Sequence, residues 1–303
     1  MEKKFFIADA HCDTISKIYE NGEALYENSG HLDLKRARDI GLSLQLFAVW
    51  VRTGEDSPFK KASEMIKTYH EECAKNIDIV AKIRSKWDYE DGKIGAVLTV
   101  EGGHVLEGKI ENLQALYDMG VRLMTLTWNG ENELGFGAVS KKGEGLTPFG
   151  IEVVQKMEQL GMFIDISHLS EKGFWEVMEN TKDETPIFAT HSNSKSICNH
   201  PRNLTDEQIK AIIKRNGYIG LNLCVDYLGG NLLSFINKHT RHILELGGEK
   251  VLGFGFDFDG TDDLPRGIRG LEDVYKITRK LRKVYGEIIA EEICGKNLQR
   301  FFK

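Results

Sequence analysis

His11-Cys12-Asp13 sets an imidazole and a carboxylate two residues apart. In an extended chain such residues share a face, so the pair can grip one divalent ion; a turn Asp beside a hydrogen-bonded core His is the plainer alternative. Glu101 directly follows the apolar run at 94–100 and precedes Gly102-Gly103. An unpaired buried carboxylate is costly, so this acid needs a partner. A metal, or two metals bridged by its two oxygens, supplies one; an Arg or a helix N-terminus supplies another. His168 and His191 end the runs at 163–167 and 187–190. Singly, each reads as a hydrogen-bonded core histidine. Two on neighbouring strands, at the same end as His11 and Asp13, read as ligands. Neutral imidazoles with carboxylates suit zinc and its transition-metal neighbours.

Further groups fall at comparable positions. The segment Gly253-Phe254-Gly255-Phe256-Asp257-Phe258-Asp259-Gly260 lacks both GxGxxG and the GK[ST] of a phosphate loop. Its glycines instead give the backbone room near a crowded site. Asp257 and Asp259 share a face by alternation, and Asp257, nearer the strand, is the better inward catalytic group. Arg202, in Pro201-Arg202-Asn203-Leu204, suits bidentate capture of a carboxylate, or else is a solvated loop Arg. The other histidines, His31, His70, His104, His200, His239 and His242, read as helix or loop residues.

For these groups to meet, the chain must carry them on one rim. Eight short apolar runs stand at 4–10, 42–51, 94–100, 121–128, 162–167, 186–190, 218–225 and 250–256. Several are apolar almost throughout, as strands buried on both faces are. In order, their ends carry His11 and Asp13, Glu101, Trp128 and Asn129, His168, His191, Asn222, and the Asp257–Asp259 pair. Between them lie helical spacings. Thr205-Asp206-Glu207-Gln208 reads as a capping box before Ile209, Ile212 and Ile213, and Thr147-Pro148 as an N-cap with Pro at the first helical position. Gly41, Gly120, Gly161, Gly217 and Gly248 stand where left-handed helix stops belong. The insertion at about 52–93 reads as mostly one helix around 58–84.

Strands alternating with helices predict an α/β fold with a parallel sheet. Eight such units without a composition break predict a single-domain (β/α)8 TIM-type barrel over residues 1–303, with an open doubly wound sheet as the rival. Functional groups in such a barrel sit at the carboxyl ends of the strands.

Composition narrows the partners. Forty Lys and Arg against 46 Asp and Glu give a net charge of −6, which argues against nucleic acid and anionic membranes. Five cysteines without a CxxC pair fit a reduced compartment. The first residues, MEKKFFIADAHCD, are too short an apolar stretch for a signal peptide, and no segment approaches a membrane span. The expectation is a soluble cytoplasmic protein.

Taken in order, His11-x-Asp13, Thr99-Val100-Glu101-Gly102, Leu146-Thr147-Pro148-Phe149-Gly150, Asp165-Ile166-Ser167-His168, His191-Ser192, Arg202-Asn203-Leu204 and Gly253-Phe254-Gly255-x-Asp257-Phe258-Asp259-Gly260 resemble the renal (membrane) dipeptidase family of zinc peptidases, in the amidohydrolase superfamily. The match runs from residue 7 to about 302. The resemblance implies a barrel with two zinc ions, His11 and Asp13 on one, His168 and His191 on the other, and Glu101 bridging. It makes Asp257 the catalytic acid/base and Arg202 the holder of the substrate's terminal carboxylate. It also suggests a homodimer.

One departure matters. Animal members carry a substrate-facing histidine after the fourth strand, where this chain has Trp128. Tryptophan is no metal ligand and offers a single N–H donor. Carbonyl polarisation then passes to the second metal, to Asn129 or to a repositioned group, with Trp128 and Asn129 counted among the substrate-binding residues. The implied reaction is hydrolysis of L,L- and L,D-dipeptides by a hydroxide shared between the metals. The rivals are a related amidohydrolase acting on a lactam or cyclic imide, and a metal-binding barrel without catalysis.

Overall fold

Residues 6–303 are described by a computed structural model, in which the apolar runs pair side by side as parallel strands. The strands are β1 (Ile7–Cys12), β2 (Leu42–Trp50), β3 (Ile94–Glu101), β4 (Val121–Thr125), β5 (Phe163–Asp165), β6 (Ile187–Ala189), β7 (Tyr218–Leu221) and β8 (Leu252–Phe254). β1 pairs with β2 on one side and β8 on the other, Asp9 standing opposite Phe254. The eight strands therefore close into a (β/α)8 barrel. Residues 4 and 5 of the expected first run lie outside the described residues.

Alternation decides what each strand shows to the interior. In β3, Leu98 and Val100 join the core beneath the helices, whereas Val97 packs inside the barrel. The same period carries Glu101 inward. At the amino-terminal end the interior is filled by Ala8, Leu44, Val97, Leu123, Phe188 and Tyr218. Leu298 and Phe302 of the last helix, Asn297–Phe302, close that end. Helix signals act locally: the Thr147 hydroxyl accepts from Gly150 N–H ahead of Pro148–Leu160, and Thr205 with Gln208 forms a reciprocal box ahead of Asp206–Lys214.

The structure corrects three expectations. The insertion helix is Pro58–Lys75, ending at Asn76, and Val80–Ile83 is a ninth strand laid parallel on β3. What makes it a strand is the ladder: Val80, Ala81, Lys82 and Ile83 stand in parallel register opposite Ile94, Gly95, Ala96 and Val97. Second, β4, β5, β7 and β8 stop short of the apolar runs that contain them. After β5, the Asp165 carboxylate takes the N–H of Ser167, and His168 turns to a φ of 67°. After β8, Asp257 turns to a φ of 64°. Third, Gly217 and Gly248 are not left-handed; Asn216 and Gly247 are. Gly217 is instead required by close approach, because a Cβ there would lie 2.0 Å from the Ile187 carbonyl oxygen.

Candidate active site

At the carboxyl rim, groups separated by up to 246 residues of sequence meet around Glu101. From β1, His11 Nε2 lies 3.6 Å from Glu101 Oε2 and 3.3 Å from Asp13 Oδ2. From the loops after β5 and β6, His168 Nε2 and His191 Nε2 lie 2.9 and 3.4 Å from Glu101 Oε1. One carboxylate thus turns one oxygen toward His11 and the other toward His168 and His191. Asp257 Oδ1 closes the cluster 3.9 Å from His11 Nε2.

All six side chains are buried, yet several polar atoms have no hydrogen-bond partner: His11 Nε2, His191 Nε2 and Asp13 Oδ1. Buried polar atoms are normally paired, so these three mark a place for something that accepts lone pairs. Candidate ligand atoms of His11, Glu101 and His191 lie within 4.8 Å of one another, as do those of His11, Asp13 and Asp257. Neutral imidazole and carboxylate oxygen are the donors of a transition-metal site. The residues present fit a metal.

Electrostatics points the same way. For the protein atoms alone, burial opposes charge on the His11 imidazole, but Glu101 and Asp13 outweigh it and raise its proton affinity well above normal. Burial, then the charge of Glu101, pushes Asp13 up to about 7. Asp257 is raised mainly by burial, and His168 is lowered to about 4 by burial and then by Arg202. Glu101 differs: burial raises it, but His11 and then the other imidazoles hold its carboxylate well below the usual range, so the central acid stays ionised beside acids that resist ionisation.

The backbone is shaped around this crowding. His168, Asp257 and Asp259 all adopt left-handed φ, unusual for residues with a Cβ. Gly260 is fixed by proximity: a Cβ there would stand 2.2 Å from Asp13 Oδ2 and 2.3 Å from Asp257 Oδ1.

The alternation that left Asp257 and Asp259 equivalent is broken by the turn. Asp257 accepts from Asn222 Nδ2 and faces the cluster, whereas Asp259 accepts from Thr14 Oγ1 and from His31 N–H. Trp128 packs on Trp50, ring centroids 5.2 Å apart, and both line a cleft of about 370 Å³ with Glu101, His168 and Asp257. Asn129 Oδ1 meets His168 Nδ1 at 2.9 Å.

Arg202 is not in that cleft. It is buried, lining a neighbouring cavity of about 210 Å³ that shares His168 with the cleft. Its guanidinium lies 5.2 Å from the Tyr227 ring centre, and its Nε has no partner. Cys12 faces away, its thiol directed at the Leu46 carbonyl.

Four contributors escape the sequence reading: Trp50, Tyr227, Asn222 as partner of Asp257, and a polar cradle behind His191. In that cradle Asp165 accepts from the hydroxyls of Thr125, Ser167 and Thr190 and from two backbone N–H groups. The available signal was Asp165 itself, an acid inside the apolar run Phe163-Ile164-Asp165-Ile166.

A closed (β/α)8 barrel that gathers imidazoles and carboxylates at its carboxyl rim is a barrel with a candidate metal site where such folds carry their chemistry. The profile of one family, described as membrane dipeptidase (Peptidase family M19), matches residues 1–303, and the chain belongs to that family of metallopeptidases. It is 27% identical over 315 residues to the uncharacterized dipeptidase C965.12 of Schizosaccharomyces pombe, covering 94% of this chain and 73% of that protein. The fold is shared with solved structures. A metallopeptidase of family M19 called dipeptidase AC has a TM-score of 0.91 at 24% identity, covering 99% of this chain and 98% of its own. A metallopeptidase from Rhodobacter sphaeroides, liganded with a phosphinate mimic of the dipeptide L-Ala-D-Ala, has a TM-score of 0.90 at 24% identity over 99% of both chains. Among the described residues, no helix is long and apolar enough to cross a membrane.

Proposed function

We propose that this dipeptidase works as a single catalytic domain, residues 1–303, and uses two zinc ions to hydrolyse L,L- and L,D-dipeptides. His11 and Asp13 would hold one ion, His168 and His191 the other, with Glu101 between them. The observation that carries this reading is the split of the Glu101 carboxylate, one oxygen toward His11 and the other toward His168 and His191. When bound, such a metal pair polarises a carbonyl and makes water a nucleophile near neutral pH.

The chain's own groups do the rest. Asp257, held by Asn222 Nδ2 at 3.0 Å, accepts a proton from the attacking water and returns it to the leaving amine. Burial raises its proton affinity, which suits a group that must both take and give a proton. Arg202 pairs with the free carboxylate of the substrate; its unpartnered Nε and its cavity beside His168 support that role. Anchoring that carboxylate favours dipeptides over longer peptides and orients the amide. Trp50 and Trp128 wall the cleft, and Trp128 stands where animal relatives place a substrate-facing histidine. A homodimer and a cytoplasmic location complete the reading, resting on the family resemblance and on the reduced-cysteine composition respectively.

The test is hydrolysis by zinc-loaded protein of a panel of L,L- and L,D-dipeptides beside their C-terminal amides, lactams and cyclic imides. Dipeptides with a free carboxylate should be cleaved fastest. Turnover of lactams or imides but not dipeptides, with two zinc ions bound per chain, would overturn the reading.

A further inference from the structure

The cradle behind His191 has a direction built into it. Asp165 Oδ1 receives two backbone N–H groups, from Ser167 at 3.0 Å and Thr190 at 2.9 Å, together with the Ser167 hydroxyl. Asp165 Oδ2 receives the hydroxyls of Thr125 and Thr190, both at 2.6 Å. All five donors are neutral and Asp165 is fully buried. A hydroxyl has one proton to give. The Thr190 hydroxyl gives it to Asp165, so Thr190 Oγ1 can only accept from His191 Nδ1, 2.9 Å away. The proton of a neutral His191 ring therefore sits on Nδ1, and Nε2, the atom facing Glu101 with no hydrogen-bond partner, carries the lone pair. The same logic holds at His168, where the Asn129 carbonyl oxygen, an acceptor only, faces Nδ1 at 2.9 Å and leaves Nε2 toward Glu101.

We propose that Asp165 and Thr190 form a carboxylate–hydroxyl–imidazole relay that fixes the His191 tautomer for metal binding, with Asn129 doing the same for His168. Asn129 is then a positioning residue and not a substrate ligand. The proposal rests on the reading that these two histidines hold a metal. Groups behind a metal-bound histidine raise its basicity and lock its ring; here the carboxylate acts through an interposed hydroxyl. The relay is also legible in chain order: Asp165 ends β5 and Thr190 follows β6, so adjacent strands supply the anchor and the link.

Two substitutions separate the relay from simple packing. Thr190→Val keeps the shape and removes the link. Asp165→Asn keeps the shape and reverses the direction. The two backbone N–H groups hold the amide oxygen at the Oδ1 position, which places the NH2 against Thr190 Oγ1. That hydroxyl then turns its proton toward His191 Nδ1 and drives the ring into the tautomer with Nε2 protonated.

Zinc affinity is read by competition with a chromophoric chelator, on purified full-length protein. Thr190→Val and Asp165→Asn should each weaken one of two zinc sites by about 10–100-fold, the usual effect of losing such a partner. Thr190→Ser, which restores the hydroxyl, should return wild-type affinity. Wild-type zinc binding by both disruptive variants would overturn the relay. So would equal losses in the Val and Ser variants, which would show that packing and not the hydroxyl matters. A folded wild-type chain that binds no zinc would overturn the metal reading itself, and the relay with it.

Discussion

At the amino-terminal end of the barrel, Phe188 packs on Phe163 and Phe301 with centroids 4.7 Å from each, Phe302 closes on Phe163 at 5.3 Å, and the Tyr218 hydroxyl donates to the Phe254 carbonyl at 2.8 Å. At the carboxyl end, His11 Nε2, His191 Nε2 and Asp13 Oδ1 are equally buried and have no partner. The contrast is not between polar and apolar interiors. His239 is a fully buried histidine outside the rim, and both of its ring nitrogens are engaged, Nδ1 with Ser194 N–H and Nε2 with the Leu228 carbonyl. Both nitrogens of His239 are thus spent on the fold, whereas His11 and His191 each turn an unpartnered Nε2 toward the rim. A floor packed this way stabilises the barrel, whereas a rim that crowds carboxylates costs stability until a cation arrives.

Substitutions should therefore separate activity from stability according to the end they touch. The largest effect belongs to Asp257→Asn, which should lower kcat by roughly 10²–10⁴ while metal content stays at the wild-type value. Removing one of several clustered carboxylates should leave the unfolding midpoint of the metal-free protein equal or higher. A near-wild-type rate would remove Asp257 from the proton transfers. Next, Phe188→Ala should lower unfolding free energy by about 3–5 kcal/mol through the cavity it opens, with zinc stoichiometry of the folded fraction unchanged. Zinc loss in the folded state would mean that the two ends are coupled.

The smallest effect concerns His239. Burial lowers its proton affinity to about 4 from an ordinary 6.5. The unfolded chain then takes up a proton before the folded one does, so this contribution is fully present above about 6.5 and is lost as pH falls toward 4. Denaturant unfolding across that window should show a shallower acid slope in His239→Gln than in wild type. Equal slopes would show that His239 takes up a proton as readily in the fold as in the unfolded chain.

The fold was largely legible because its signal is local. Buried strands write themselves as apolar runs, and the caps at Thr147 and Thr205 need only residues three apart. The ninth strand was missed because Val80–Ile83 is four residues long, too short to establish a period of its own beside an 18-residue helix. The rim was legible as residue types at run ends, since barrel topology brings those ends together. Its supports were not. Asp165 reads as an oddity in an apolar run until Thr125 and Thr190 arrive from the neighbouring strands. Asp257 and Asp259 stay equivalent until a left-handed turn gives them different partners.

The central claim is that Glu101 stands between two metals, and anomalous scattering from crystals of the zinc-loaded protein at the zinc edge tests it most directly. The account predicts two peaks, one beside His11 and Asp13 and one beside His168 and His191, with a Glu101 oxygen toward each. A single peak, or zinc bound away from Glu101, would contradict it.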